Sequence, residues 1–480
     1  MRLALLVALG CALVAAAGAA AFSPTDPLSD RQWYLAQDHA FDYWGTAPDP
    51  ALAPVKVAVV DSGIDGGHPD LAGKVVAARS FVGGSPYRDT KGHGTFVAGQ
   101  IAATLDNGEG IAGMAFNAKL VVAKVVTPSG SVPLQAETAA IRWAADEGAR
   151  VINLSLGGVR DPLDSRSDTY SPLEQAAVEY AFRRGALVVA AVGNGPQSPS
   201  TPWPYAHYPA ALPHVLGVGA LARNGSVPAF SNRDAVYVDV AAPGQGIVST
   251  LPRELTAADQ ACTEQGYSTC APSDFRPEGT SFAAPQVAAA AALVLGVRPD
   301  LRPEQVASLL ERAADDVNPL TGCRQCARGR DRFTGWGRLD VLRALQSLEA
   351  EAPAPDRFEA NDDAGPWAYR LYGASRTFAA TLDYWDDDVD VYAVRVERDR
   401  RLFVRVSADP GVDAKLLLWK PRTETVEGLR APLAFRAAQA ARVGIQERVA
   451  YTAPETGWYY VEVKLASPGA GSYTLSYTKS

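Results

Sequence analysis

An α/β core built on a parallel sheet, followed by a smaller all-β domain, is the fold class that this sequence predicts. From Lys56 to about Leu348, short β-branched runs alternate with longer amphipathic or alanine-rich stretches. Continuous apolar strands separated by helices belong to a parallel sheet covered on both faces. Past the acidic, proline-containing connector 349–355 the helical pattern stops and short alternating strands take over. That change points to a β-sandwich of about 125 residues.

In chain order, the strands expected in the core are Lys56–Val60, Leu120–Val126, Val151–Ser155, Leu187–Val192 and Val215–Gly219. Helices are expected near Phe96–Thr104, Gln135–Asp146 and Leu173–Arg184, with a fourth in the alanine-rich stretch Phe282–Leu295. Pro285 fits that last helix only within its first turn. The β-domain is expected to use Phe378–Leu382, Val391–Val396, Leu402–Ala408, Lys415–Trp419, Tyr459–Leu465 and Tyr473–Thr478.

Ahead of the core, Leu3 to Phe22 is entirely apolar or glycine and contains the small-residue run Ala15–Ala21. This reads as a cleaved secretory signal over 1–21 rather than an anchor, although the run is long enough to span a bilayer. The chain is therefore expected to be secreted or extracellular, with no stable membrane span in its mature part. The division that follows is signal 1–21, core domain 24–348, linker 349–355 and β-domain 356–480. Lys+Arg 45 against Asp+Glu 53 gives a formal charge of −8. That balance offers no electrostatic attraction to phosphate backbones, so nucleic acid is not an expected partner.

Beyond Cys11 there are four cysteines, Cys262, Cys270, Cys323 and Cys326. In an exported chain they favour disulfides, and of the three pairings the local ones, 262 with 270 and 323 with 326, are expected. A four-cysteine zinc site is the alternative. A thioredoxin-like role for Cys323-Arg-Gln-Cys326 needs a strand before it and a helix after it, whereas its neighbours are Gly322, Arg328, Gly329 and Arg330.

Three strings carry chemistry: Val57-Ala58-Val59-Val60-Asp61-Ser62-Gly63, Gly92-His93-Gly94-Thr95 and Gly279-Thr280-Ser281-Phe282-Ala283-Ala284-Pro285. Asp61 follows an apolar strand, where the carboxyl ends of a sheet gather catalytic groups. Glycines flank His93 just before a helical run, which lets the backbone bring its imidazole close to other groups. Ser281 opens a helical run, whose unpaired N–H groups suit a developing anion.

These strings, in the order Asp, His, Ser, resemble the subtilases, the subtilisin-like serine peptidases, most closely the thermitase-like branch. That chain order is the one known for subtilisin. The resemblance covers about residues 24–348 and implies a subtilisin-like three-layer fold with helices on both faces of the sheet. It implies Ser281 as nucleophile, His93 as general base and then acid, and Asp61 as the group orienting the imidazole. A fourth string, Ala190-Ala191-Val192-Gly193-Asn194-Gly195, matches the family's oxyanion asparagine, so Asn194 and the Ser281 N–H would hold the oxyanion. Protein and peptide substrates are implied, gripped by Ser155, Leu156 and Gly157 on one side and Gly130 and Ser131 on the other. Ala190 and Gly193 would border the primary specificity pocket, with Pro202–His207 as its floor. Two departures stand out: Val132 where many relatives have a second glycine, and Phe96 where a second histidine is common. The stretches 159–172 and 253–277 look inserted, the second placed to wall the cleft or to form a disulfide-closed surface loop.

The resemblance also implies a structural calcium ion held by Asp26, Asp70 and Asn107, hard oxygen donors from separate segments. The β-domain opens with Asp356-Arg357-Phe358-Glu359-Ala360-Asn361-Asp362 and carries Asp386-Asp387-Asp388-Val389-Asp390-Val391-Tyr392. Together these resemble the pre-peptidase C-terminal domain, and the acidic cluster is either a second calcium site or a solvated turn. Asp26-Pro27-Leu28 and Gln32-Trp33 resemble a mature start, so no separate N-terminal inhibitor domain is expected. A monomer is expected.

Overall fold

The computed structural model describes residues 22–257, 259–349, 353–426, 436–440, 446–467 and 469–480. The signal expected over 1–21 and residues 350–352 of the connector lie outside the described residues. Seven strands form the first sheet: β1 (Val55–Asp61), β2 (Val75–Ser80), β3 (Ala118–Lys124), β4 (Val151–Leu154), β5 (Leu187–Ala191), β6 (Val215–Leu221) and β7 (Val240–Pro243). Their order is β2-β3-β1-β4-β5-β6-β7, and every neighbouring pair is parallel. The helices are α1 (Trp33–Gln37), α2 (His93–Ala102), α3 (Leu134–Asp146), α4 (Pro172–Arg183), α5 (Arg253–Thr256), α6 (Ala284–Val297), α7 (Pro303–Ala313) and α8 (Val341–Gln346).

Strand side chains alternate between faces, so a run that is apolar at every position can feed two cores. β1 does this: Val57 and Val59 join the cluster containing α2 and α6, while Ala58 and Val60 join the one containing α3 and α4. Helix α6 runs through the first core with every residue from Ala284 to Gly296 buried. Its alanines keep it thin enough to lie against β1, β4 and β5. The segment Thr280–Val297 is long and apolar enough to cross a membrane, but it fills this interior instead. Pro285 sits in the first helical turn, where no N–H is missed. β1 lies between β3 and β4, so the sheet's direction of growth switches there, and Asp61 ends the strand at that point.

The second unit is all β: β8 (Tyr369–Leu371), β9 (Ser375–Asp383), β10 (Val389–Val396), β11 (Arg401–Ala408), β12 (Ala414–Trp419), β13 (Arg436–Ala440), β14 (Gln446–Thr452), β15 (Gly457–Leu465) and β16 (Ala470–Lys479). A five-stranded sheet, β13-β12-β15-β10-β8, faces a four-stranded sheet, β14-β11-β16-β9. All pairings are antiparallel except β8 with β10. Inward residues such as Phe378, Tyr392, Val404, Leu416, Val461 and Leu475 fill the space between them. The loop after β9 docks on α7: Arg312 lies over the Trp385 ring at 3.8 Å, Tyr384 donates to Glu311 at 3.3 Å, and Arg302 pairs with Asp386.

Both local disulfides are formed, Cys262–Cys270 and Cys323–Cys326, which removes the four-cysteine zinc alternative. The thioredoxin-like one falls because Cys323 and Cys326 lie among turns, with neither a strand before them nor a helix directly after. The catalytic-region helix expected from Phe282 starts instead at Ala284, preceded by a 3₁₀ turn over Thr280–Phe282.

Candidate active site

The glycines around His93 set the approach of α2 to β1. A Cβ on Gly94 would lie 2.2 Å from the Gly63 carbonyl, so only glycine lets the start of α2 settle against the end of the strand. Asp61 and His93 thereby meet although they are 32 residues apart in sequence: His93 Nδ1 lies 2.9 Å from each oxygen of the Asp61 carboxylate. Asp61 is buried and also accepts from the Ser62 N–H at 2.7 Å. A ring nitrogen facing a carboxylate carries the proton, leaving Nε2 as the acceptor. Burial works against the imidazolium, but the Asp61 charge and hydrogen bond, with Asp89 behind them, hold the His93 pKa above its ordinary value. Its side chain keeps 31% of its surface exposed, enough for a substrate to reach it.

Ser281 sits in the 3₁₀ turn ahead of α6. Its hydroxyl donates to the Ser155 carbonyl at 3.2 Å, and the Ser155 hydroxyl donates back to the Ser281 carbonyl at 2.8 Å. Phe282, next in sequence, places its ring 5.3 Å from the imidazole and 4.3 Å from Phe96, with the Phe275 ring tilted against Phe96 at 5.5 Å. The substitution of histidine by Phe96 is thus a packing change: the ring is wholly buried beneath the site.

Asn194 follows β5. Its side-chain oxygen accepts from the Thr280 N–H at 3.0 Å and the Thr280 hydroxyl at 3.2 Å, which fixes the amide with Nδ2 outward. Gly279 has φ +151°, and a Cβ there would stand 3.5 Å from Asn194 Nδ2 and 3.8 Å from the Ser281 nitrogen. Two N–H donors therefore border one small space that a side chain at 279 would occupy. Thr280 was not singled out from sequence, yet it also accepts from the Gly193 N–H at 3.2 Å, joining the two strings.

Ser155, Leu156 and Gly157 follow β4, and Gly158 pairs with Tyr208 through two backbone hydrogen bonds of 2.9 and 3.0 Å. Ala190 is buried within β5, and Gly193 packs against His207. Gly130 and Ser131 form an exposed turn in which the Thr127 N–H donates to the Ser131 carbonyl at 2.9 Å. Trp203 is buried, with its indole N–H on the Arg160 carbonyl at 3.1 Å.

The segment 253–277 walls one side of the site. Leu251 and Leu255 cover Gly92, Glu254 pairs with Arg88 at 2.8 Å, and the Gly266 carbonyl bonds His68 Nε2 at 2.7 Å. Tyr267 lies against Gly110 in the loop that wraps Asp70. In that loop the Asp26 carboxylate accepts from the Asp106 and Asn107 N–H groups at 3.0 and 3.1 Å. Asp70 accepts from Asn107 Nδ2 at 2.9 Å and the Ile111 N–H at 3.0 Å. The three residues expected to share a cation are thus brought together. In the β-domain, Glu359, Asp387 and Asp390 offer oxygens within 4.8 Å of one another. Both Asp387 oxygens and the Asn361 side-chain oxygen are buried and accept no hydrogen bond. A third group, His39, Asp315 and Asp340, differs because Arg338 and Arg343 already neutralise Asp315 at 2.7 and 2.5 Å.

The subtilase family model matches residues 53–337. Thermitase of Thermoactinomyces vulgaris is 34% identical over 328 residues, 68% of this chain and 100% of its own length. Subtilisin E of Bacillus subtilis is 38% identical over 330 residues, 65% of this chain and 75% of its own. Among solved structures, sphericase aligns with TM-score 0.52 and 30% identity, covering 65% of this chain and 99% of that one. A structure titled as a lanthipeptide protease aligns with TM-score 0.54 and 26% identity, covering 68% of this chain and 99% of that one. The chain belongs to the subtilase family and is a subtilisin-like serine endopeptidase, a hydrolase acting on proteins.

Proposed function

We propose that Asp61, His93 and Ser281 form the catalytic triad of a secreted endopeptidase, with Asn194 and the Ser281 N–H as its oxyanion hole. The observation that carries this reading is the imidazole of His93 held symmetrically on both oxygens of a buried carboxylate, with the ring of Phe282, the residue after Ser281, 5.3 Å from it. Its Nε2 is free to take the Ser281 proton once the hydroxyl turns from the Ser155 carbonyl, a tightening that catalytic hydrogen bonds undergo when substrate binds. Attack on the scissile carbonyl forms the acyl-enzyme and breaks the peptide bond as His93 returns the proton to the leaving amine. Asp61 stabilises the imidazolium meanwhile, and water then reverses the sequence. An extended substrate would lie between Ser155–Gly157 and Gly130–Ser131, with its primary side chain beside Ala190 and Gly193. Segments 24–348 and 356–480 are read as the peptidase and a pre-peptidase-C-like domain, joined by 349–355.

Calcium is the cation that the chain's oxygen donors fit. Asp26, Asp70 and Asn107 would hold one ion once the Asn107 amide, whose Nδ2 now faces Asp70, turns its oxygen inward, and that ion would fix the N-terminal segment to the 106–111 loop. Glu359, Asp387, Asp390 and Asn361 would hold another, since orphaned buried carboxylate oxygens call for a cation.

The test is a fluorophosphonate probe on the purified protein, with the labelled peptide mapped and casein cleavage assayed in parallel. Label on Ser281, lost together with proteolysis in Ser281→Ala at unchanged folding, is the expected result. Casein cleavage that survives Ser281→Ala would overturn the assignment.

A further inference from the structure

Asp89 belongs to none of the strings that carry the chemistry, yet it is the most heavily bonded carboxylate near the site. It is 3% exposed. One oxygen accepts from the Ser62 hydroxyl at 2.8 Å, the Gly92 N–H at 2.9 Å and the Lys91 N–H at 3.1 Å. The other accepts from the Thr95 N–H at 2.9 Å and the Thr95 hydroxyl at 2.7 Å. These five donors bracket His93 on both sides and reach Ser62, the residue after Asp61. Ser62 closes the circuit: its N–H donates to Asp61 at 2.7 Å, and its hydroxyl accepts from the Gly94 N–H at 2.8 Å.

The physical consequence follows from where the donors lie. Asp61 ends a strand and His93 begins a helix, so nothing in either element alone fixes their separation. Asp89 ties the start of α2 to the residue beside Asp61 through one buried ionised group. None of its partners is a cationic side chain, so its charge is satisfied by oriented N–H and O–H dipoles and by the N-terminal end of α2.

We propose that Asp89 is a positioning residue for the peptidase reaction. It sets the depth and angle at which His93 meets Asp61, and its charge, the second negative one beside the ring, favours the imidazolium formed during acyl transfer. This rests on the reading of His93 as general base. The groups whose charge acts on His93 are Asp61 from β1 and Asp89 from the loop before α2, and the ring packed against it, Phe282, is uncharged.

The experiment compares the wild-type full chain with Asp89→Asn and Ser62→Ala, using a chromogenic peptide substrate across pH and a melting curve as the folding control. Asp89→Asn is expected to lower kcat about tenfold to a hundredfold with KM unchanged, the range in which a small misplacement acts. The ascending limb of its kcat/KM profile should also move to lower pH, because one negative charge beside the imidazole is gone. Ser62→Ala keeps that charge and cuts the link, so it should lower kcat with the limb unmoved, and its effect should shrink in the double variant. Wild-type kcat in Asp89→Asn, or a loss of kcat with no movement of the limb, overturns the proposal. If Asp89→Asn does not fold, wild-type kcat in Ser62→Ala overturns it. Failure of the underlying reading shows separately, as activity that survives His93→Ala.

Discussion

Asn194 shows how a single side chain is prepared before any substrate arrives. Thr280 occupies its oxygen from two directions, so the amide cannot turn, and its NH₂ is left beside the Ser281 nitrogen. Donors fixed in advance stabilise a developing oxyanion without reorganising. Asn194→Ala is expected to lower kcat roughly 10²–10³-fold at nearly constant KM, the range known for removing such a donor from subtilisin, measured with a peptide anilide. Gly279→Ala should do similar damage for a different reason, since its methyl would fill the space between Asn194 Nδ2 and the Ser281 nitrogen that is proposed to hold the oxyanion. Asp61, His93, Asn194 and Ser281, the residues of the proposed site, could be picked out from sequence because each stands in a short string with distinctive neighbours. Asp89 was not, because it lies outside every string, and the bonds that Ser62 and Thr280 make to distant segments have no spacing of their own in the sequence.

Where elements meet, α3 and α4 pack with Glu137 and Glu174 face to face, 7% and 4% exposed. Burial raises both carboxyl pKa values, and for Glu174 the Glu137 charge and hydrogen bond raise it further, so the folded pair retains a proton between them. The unfolded chain releases its carboxyl protons as pH climbs past the ordinary value of 4.5. The folded state then binds more protons than the unfolded one, so this pair's contribution is intact below 4.5 and declines as pH rises beyond it. Glu174→Gln keeps a donor for Glu137 without the second charge. Its melting temperature should exceed the wild type by a few degrees at pH 9 and differ little at pH 5, measured by calorimetry on a Ser281→Ala background. Such a pair is invisible in sequence, because it forms only where two separate helices pack together. The strands show the same limit. Central strands were read within two residues of their ends because both faces are apolar. β2, with no fully buried position, and β7, four residues closed by Pro243, carried no such run. β8, β13 and β14 were missed, the first as only three residues and the other two as strands of mixed polarity.

Across the whole molecule, one loop serves two bodies. Residues 384–386 dock on α7 while Asp387, next in line, turns back toward Glu359 and Asp390. Three carboxylates this close repel one another unless a retained proton or a cation lies between them, so a cation that displaces the protons and fills the cluster should stiffen the docked loop. In Ser281→Ala protein, calcium is expected to slow cleavage of the 349–355 connector by an added protease, and Asp387→Asn should abolish that protection. Equal protection in Asp387→Asn would assign the effect to the Asp26–Asp70 loop instead. A peptidase is also exposed to its own kind, and here the Cys262–Cys270 loop has a further consequence. Its tip, Gly266–Tyr267, is fastened to His68 and Gly110, and both flanks are joined through sulfur. A neighbouring copy that nicks the chain between those cysteines adds the mass of one water and releases nothing. The wall beside His93 should outlast the cut, and a two-chain form that separates only after reduction should accumulate as an active species.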